Sequence, residues 1–218
     1  MFYSNIVFDL DGTLDNQMPS YTAAFVRVCC EFGLPEEGVA QYYCQSGGTP
    51  LKQQFTQILS RSNIPIDINR CYNRFWESIE EKANPFDETI SLVNLLHQQQ
   101  RHLYITTGSK TEGAKRRLTQ IGLISCFEMV LGQSENIDKG LKQLQSFKES
   151  SGDNDWEKKA LYLGDGTMDM VFAKEFGIIP VGITHTVSSD LLRQAGAEYT
   201  LNSLGELITL LHKLEDEN

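Results

Sequence analysis

Ile6-Val7-Phe8-Asp9-Leu10-Asp11-Gly12-Thr13 is a short run of strand-forming residues that ends in two carboxylates and a glycine. β-Branched and aromatic residues fit a pleated, buried surface, so the run predicts a strand over Ile6–Leu10. In a parallel sheet, ligands gather beyond the carboxyl ends of the strands, which is where these acids fall. Asp9 and Asp11 are two apart and in extended chain point the same way. Two carboxylates so close repel each other, which favours a bound cation or a raised pKa on one of them. Gly12 lets the backbone turn sharply after them.

Five further runs of the same kind follow: Leu103–Thr107, Glu128–Leu131, Ala160–Leu163, Ile179–Ile183 and Glu198–Leu201. Amphipathic stretches separate them, such as Thr111–Ile121, where Ala114, Leu118 and Ile121 share a face. Several helix candidates end in Gly and an apolar residue, as at Gly33-Leu34, Gly122-Leu123 and Gly177-Ile178, a helix-closing signal. Strands alternating with helices predict an α/β protein with a parallel sheet covered on both faces. Residues 16–84 break the rhythm, since helical patterns at Tyr21–Phe32, Pro50–Leu59 and Asn69–Glu81 fill a space with no strand-like run. The expectation is a core of residues 1–15 and 85–218, with a small helical domain of residues 16–84 inserted after the first strand. The chain then re-enters near Phe86.

Other strand ends carry chemistry of the same kind. The fourth runs into Gly164-Asp165-Gly166-Thr167-Met168-Asp169, with Asp169 one helical turn beyond Asp165. Oxygen-only ligands on rigid elements suit Mg²⁺, which keeps several of its waters. No His/Cys cluster suggests zinc, and His97, His102, His185 and His212 are read as structural or solvated. The second strand ends in Thr106-Thr107-Gly108-Ser109, hydroxyls and amides placed before a helix as a phosphate cradle. A one-residue slip in register would put Thr106 in place of Thr107. Asp138-Lys139-Gly140 sets a lysine at another helix start, able to neutralise a phosphate; Lys142 is its rival.

The 218-residue chain has a formal net charge of −10, and such a surface repels nucleic acid and anionic membranes. A phosphorylated ligand is repelled too, unless local devices make its site positive. Apolar runs are strand-sized, which argues against a membrane span, and the N-terminus lacks the pattern of a signal peptide. Five unpatterned cysteines, two of them adjacent, read as reduced thiols of a cytoplasmic protein. Glu215-Asp216-Glu217 reads as a solvated end, and Lys115-Arg116-Arg117 as a solvated helix face.

Taken together, these residues resemble the haloacid dehalogenase-like hydrolase superfamily, on the branch similar to phosphoglycolate phosphatases and β-phosphoglucomutases. Asp9 to Thr13 looks like its first motif, Thr107 its second, Lys139 its third, and Gly164-Asp165 through Asp169 its fourth. The resemblance covers essentially the whole chain. It implies a Rossmann-like three-layer core with a mobile helical cap, and a Mg²⁺-dependent phosphatase for a small phosphorylated metabolite. Asp9 would be the nucleophile, forming an aspartyl phosphate, and Asp11 the acid and base. Asp9, Asp165 and the Asp11 main-chain carbonyl would hold Mg²⁺. Thr107, Gly108 and Lys139 would hold the phosphoryl oxygens, while Thr13 and Asp169 support the loop, metal shell or lysine.

In the inserted segment, Gly47-Gly48-Thr49 suggests a loop over the site, with Lys52 the candidate for a substrate anion. Tyr42, Tyr43, Arg70 and Arg74 read as ordinary helix packing or solvated side chains, and Phe25, Phe55, Phe75 and Trp76 as core. Relatives commonly carry Asp near position 16, Asn after the second-motif Thr and Pro after the lysine; here stand Asn16, Gly108 and Gly140. Asp11 argues against a dehalogenase, which has no oxygen leaving group to protonate. A β-phosphoglucomutase-like mutase and a non-catalytic binding member of the fold are the alternatives. Substrate and oligomeric state are not legible.

Overall fold

The computed structural model describes residues 2–46, 49–60, 66–79, 82–133 and 139–217. Six parallel strands form one sheet in the order β3-β2-β1-β4-β5-β6, with β1 (Asn5–Asp9) central between β2 (His102–Lys110) and β4 (Ala160–Gly164). The remaining strands are β3 (Met129–Gln133), β5 (Ile179–Ile183) and β6 (Tyr199–Leu201). The three-layer α/β expectation is met, and all six sequence-predicted strands form.

The alternation of side chains along each strand builds two cores. Ile6, Phe8, Leu103, Ile105, Leu161 and Leu163 face α5 (Thr89–Gln98), α6 (Thr111–Gln120) and α10 (Glu206–Asp216). Val7, Tyr104 and Tyr162 face the other way, packing with α7 (Leu141–Ser151), α8 (Thr167–Phe176) and the fully buried Trp156. Short α9 (Ser189–Gln194) supplies Leu192 against Met170 of α8. Gly177 closes α8 at φ +84°, as the Gly-Ile pair suggests. Among the described residues, no helix is long and apolar enough to cross a membrane.

The chain divides into two compact units, Met1–Asn16 with Lys82–Asn218, and Gln17–Glu81. The second contains α1 (Met18–Cys30), α2 (Glu36–Gln45), α3 (Leu51–Leu59) and α4 (Ile68–Glu77). It has a core of its own, in which Phe25 stacks on Phe55 at 4.5 Å and Phe75 lies edge-on to Phe55. Burying each such ring contributes roughly 1.5–3 kcal/mol, enough together to specify a core within four short helices. Cys29 and Cys71 are buried in it as free thiols, and burial pushes Cys29 up to about 12, so this thiol is inert.

Two charged groups read as solvated are held in place. Glu215 accepts hydrogen bonds from the Tyr3 amide at 3.1 Å and from Arg101 at 2.8 Å, so it anchors the last helix to the chain entering β1. Arg101 is itself buried and donates to the Tyr3 carbonyl. Arg117, in the basic run of α6, is buried as well; Lys115 and Arg116 are exposed. The inward face of α6 passes through Ala114 and Leu118, and position 117 adjoins it, a placement that the charge run concealed.

Candidate active site

β1 ends at Asp9, and the chain turns at once: the Gly12 amide donates to the Asp15 carbonyl at 2.8 Å, and Gly12 sits at φ +91°. A Cβ there would lie 2.3 Å from Asp165 Oδ2, so both conformation and contact require glycine. Because extended backbone stops at Asp9, the two acids do not point the same way, contrary to the sequence expectation. Asp9 turns toward Lys139 and β4, and Asp11 toward the end of β2.

Around Asp9 the charges are dense and buried. Asp9, Asp165 and Asp169 are 3 %, 6 % and 2 % exposed, and each offers a carboxylate oxygen within 4.8 Å of the others. Lys139 Nζ lies 2.7 Å from Asp9 Oδ1 and 2.6 Å from Asp169 Oδ1. The Thr13 hydroxyl, 3.1 Å from Asp165 Oδ1 and 3.4 Å from Asp9 Oδ2, stands between those two acids. The Thr186 hydroxyl donates to Asp165 Oδ2. Asp169 is already engaged, accepting from Tyr162 at 2.8 Å and from the Gly166 amide at 3.0 Å, which caps α8. A Cβ on Gly164 would meet Asp169 at 2.6 Å, so strand and helix close tightly here.

Burial pushes Asp9 well above the usual carboxylate range; Asp169, Asp165 and Asp11 push the same way, and Lys139 opposes them. Burial and the Asp169 charge raise Asp165 too, against the Thr186 hydrogen bond and Lys139. Burial works against the Lys139 ammonium, but Asp169 and Asp9 outweigh it and hold the lysine protonated well above its ordinary range. Three acids against one ammonium leave excess negative charge with little water to screen it. A hard, oxygen-seeking divalent cation fits that donor set, with Asp9 and Asp165 the carboxylates held by the Thr13 and Thr186 hydroxyls and by Lys139.

The Asp11 carboxylate is fixed on the other side. Its Oδ2 accepts from Thr107 Oγ1 at 2.6 Å and Ser109 Oγ at 2.7 Å, and Arg117 reaches its Oδ1 at 2.8 Å. Register settles the two threonines: Thr106 lies on the α7 face with its hydroxyl on Gln143, and Thr107 is the one beside Asp11. Gly108 is exposed, with open space where a Cβ would be, and Lys142 is exposed on α7. Asp138 lies outside the described residues, as do Gly47 and Gly48.

In the helical unit, Lys52 donates to Asn69 at 3.0 Å and sits 5.0 Å over the Tyr72 ring, joining α3 to α4. Tyr42 donates to Gln57, Tyr43 is buried in the aromatic core, and Arg74 pairs with Glu31 at 3.0 Å. The sequence reading missed Arg117, Tyr162 and the pair His185-Thr186, and Ser109, read there as part of a phosphate cradle, has its hydroxyl on Asp11. His185 Nδ1 is 3.0 Å from the Gly12 carbonyl, and its ring stacks on Phe86 at 3.9 Å. The available signal was position, since His185-Thr186 follows closely on the carboxyl end of the fifth strand.

A central strand ending in a buried acid, with a lysine on that acid and a second acid at the next strand tip, is the arrangement that the four motifs imply. A profile of haloacid dehalogenase-like hydrolases matches residues 6–183. The chain belongs to the haloacid dehalogenase-like hydrolase family. It is 26% identical to "Probable phosphatase IndB" of Dickeya dadantii, over 96% of this chain and 94% of that one. It is 20% identical to a phosphoglycolate phosphatase of Haemophilus influenzae, over 94% and 97% of the two chains. A haloacid dehalogenase-like hydrolase structure from Streptococcus pneumoniae superposes with a TM-score of 0.79 at 23% identity, covering 95% of this chain and 97% of that one. That likeness speaks to the fold. The expectation of a hydrolase of this family holds, and the relatives carry phosphatase names.

Proposed function

We propose that the protein hydrolyses the phosphate monoester of a small metabolite, with Asp9 as nucleophile and Mg²⁺ as cofactor. The observation that carries the reading is the Asp9 carboxylate itself. It is buried at the tip of the central strand, with an ammonium 2.7 Å from one oxygen and Asp165 facing the other across Thr13.

An Asp9 oxygen attacks phosphorus as the bond to the ester oxygen breaks, giving an aspartyl phosphate and an alkoxide. Asp11, the carboxylate paired with Arg117 in the resting site, enters this step carrying a proton, gives it to that alkoxide and so returns to the carboxylate. A water then attacks the phosphoryl group and loses its proton to Asp11; the bond to Asp9 breaks, releasing inorganic phosphate and restoring both acids. Lys139, Thr107 and the amide of Gly108 hold the phosphoryl oxygens. Asp169 holds Lys139. Mg²⁺, held by Asp9, Asp165 and the Asp11 main-chain carbonyl, would offset repulsion between carboxylate and phosphate. The helical unit is assigned the choice of leaving group, with Lys52 its candidate for a substrate anion.

The test is phosphate release from a panel of phosphorylated metabolites and an aryl phosphate, with Mg²⁺ or with EDTA. Asp9→Asn is expected to lose at least about 10³-fold in kcat, since loss of a covalent nucleophile removes the pathway. EDTA should abolish turnover. Release undiminished in Asp9→Asn removes the nucleophile assignment. No release from any compound would instead favour a phosphosugar mutase or a binding protein.

A further inference from the structure

Arg117 stands where the loop that carries Asp11 meets the segment that leads to the helical unit. Its side chain is 4% exposed. One arm reaches Asp11 Oδ1 at 2.8 Å and Ser109 Oγ at 3.2 Å. The other arm pairs with Asp15 Oδ2, on a side chain 2% exposed. Asp15 Oδ1 accepts from the Asn84 amide at 2.7 Å, and Asn16 donates its amide to the Asn84 carbonyl at 2.8 Å. Residues 15–16 and 84–85 are the two segments by which the chain leaves for the helical unit and returns. A single planar guanidinium therefore grips the acid of the proposed reaction and the linker together. Lysine cannot reproduce this, being one point charge where arginine offers a rigid fork.

Resting on the phosphatase reading above, we propose that Arg117 is a positioning residue that sets the direction of the Asp11 carboxylate relative to the leaving oxygen and ties that direction to the linker through Asp15. A loop braced in this way needs Arg117 for stability too, so loss of activity alone says little. What separates the roles is the leaving group. An alkoxide needs a proton from Asp11 as the phosphorus–oxygen bond breaks, whereas a nitrophenolate departs as the anion. Misdirecting Asp11 therefore slows alkyl esters selectively, and a general acid is worth typically about 10²–10⁴-fold.

The experiment compares kcat/KM for 4-nitrophenyl phosphate and for an alkyl phosphate that the wild type turns over, using Arg117→Met, Arg117→Lys and Asp15→Asn. The expected result for Arg117→Met is a loss on the alkyl ester at least about tenfold greater than on the aryl ester, within the range a general acid supplies. Arg117→Lys should recover part of that difference, and Asp15→Asn, which removes the charge paired with one arm of the fork, should show it in smaller degree. If Arg117→Met does not fold, the other two variants decide the matter by the same ratio. Equal losses on both esters, or no loss, would overturn the proposal and leave Arg117 a structural brace. If the wild type releases phosphate from neither ester, the phosphatase reading itself falls, a different result from a changed ratio.

Discussion

Asp9 and Asp165 ionise near pH 4 in an unfolded chain, at about 3.9, and are both pushed higher on folding. A carboxyl whose folded pKa is raised favours the native state below its unfolded value, and that contribution is lost as pH rises through the folded value. The metal-free protein is thus weakened at neutral pH by groups that the proposed chemistry needs. Asp165→Asn removes one of the clustered charges and keeps a group that Thr13 and Thr186 can hydrogen-bond. Without metal, at pH 7.5, this variant should melt above the wild type by roughly 2–4 °C, the effect of about 1 kcal/mol in a chain of this size. Mg²⁺ should raise the wild-type melting temperature more at pH 7.5 than at pH 5, and should do little for the variant. A lower melting temperature for metal-free Asp165→Asn would contradict this electrostatic account. The acids, Thr107 and Lys139 were legible because each follows a strand or opens a helix. Arg117 was not, because a guanidinium among lysine and arginine neighbours looks solvated until the helix is docked and its inward face is known.

At the scale of the element, β2 and β3 show how tightly the site is built from backbone. Their pairing shifts register between Thr106 and Lys110, at the segment that carries Thr107 and Ser109. Gly132 of β3 lies under it, and a Cβ there would come within 2.3 Å of the Ser109 carbonyl oxygen and 2.5 Å of the Thr111 amide. Both atoms belong to backbone and cannot swing aside. Gly132→Ala is therefore expected to cost about 1–3 kcal/mol by overpacking and to reduce turnover by displacing Ser109 from Asp11. Urea unfolding paired with an activity assay checks both; a variant with wild-type stability would show that the loop yields without strain. Nothing local in the sequence announces this irregularity, since Leu103–Thr107 reads as a strand whatever follows. The strands themselves were legible to within three residues because short β-branched, aromatic and aliphatic runs between amphipathic stretches leave little choice. The turn of Asp11 away from Asp9 was not, because it depends on where hydrogen bonding between strands stops.

Across the whole molecule, the Arg101 clamp joins the start of β1 to the last helix. Burial alone would raise the Glu215 carboxyl, but hydrogen bonds from Arg101 and the Tyr3 amide hold it below its ordinary value. A lowered folded pKa gives stability that is present above the unfolded value, near 4.3, and lost as pH falls through the folded one. Arg101→Met should thus destabilise the protein by about 2–3 kcal/mol at pH 7, below the range for a fully buried pair because Glu215 is 19% exposed. The deficit should shrink below about pH 4, as Glu215 becomes protonated. Urea unfolding at the two pH values measures it, and a deficit independent of pH would assign the loss to packing. The linker has a different consequence. With Asn16 and Asn84 hydrogen-bonded, the chain between them is a closed loop in the polymer sense, and doubling the length of such a loop costs only about 0.6 kcal/mol. None of the sheet's strand pairings involves a described residue of that loop. Lengthening or exchanging that insert is therefore expected to leave the strand pairing of the α/β unit as it is.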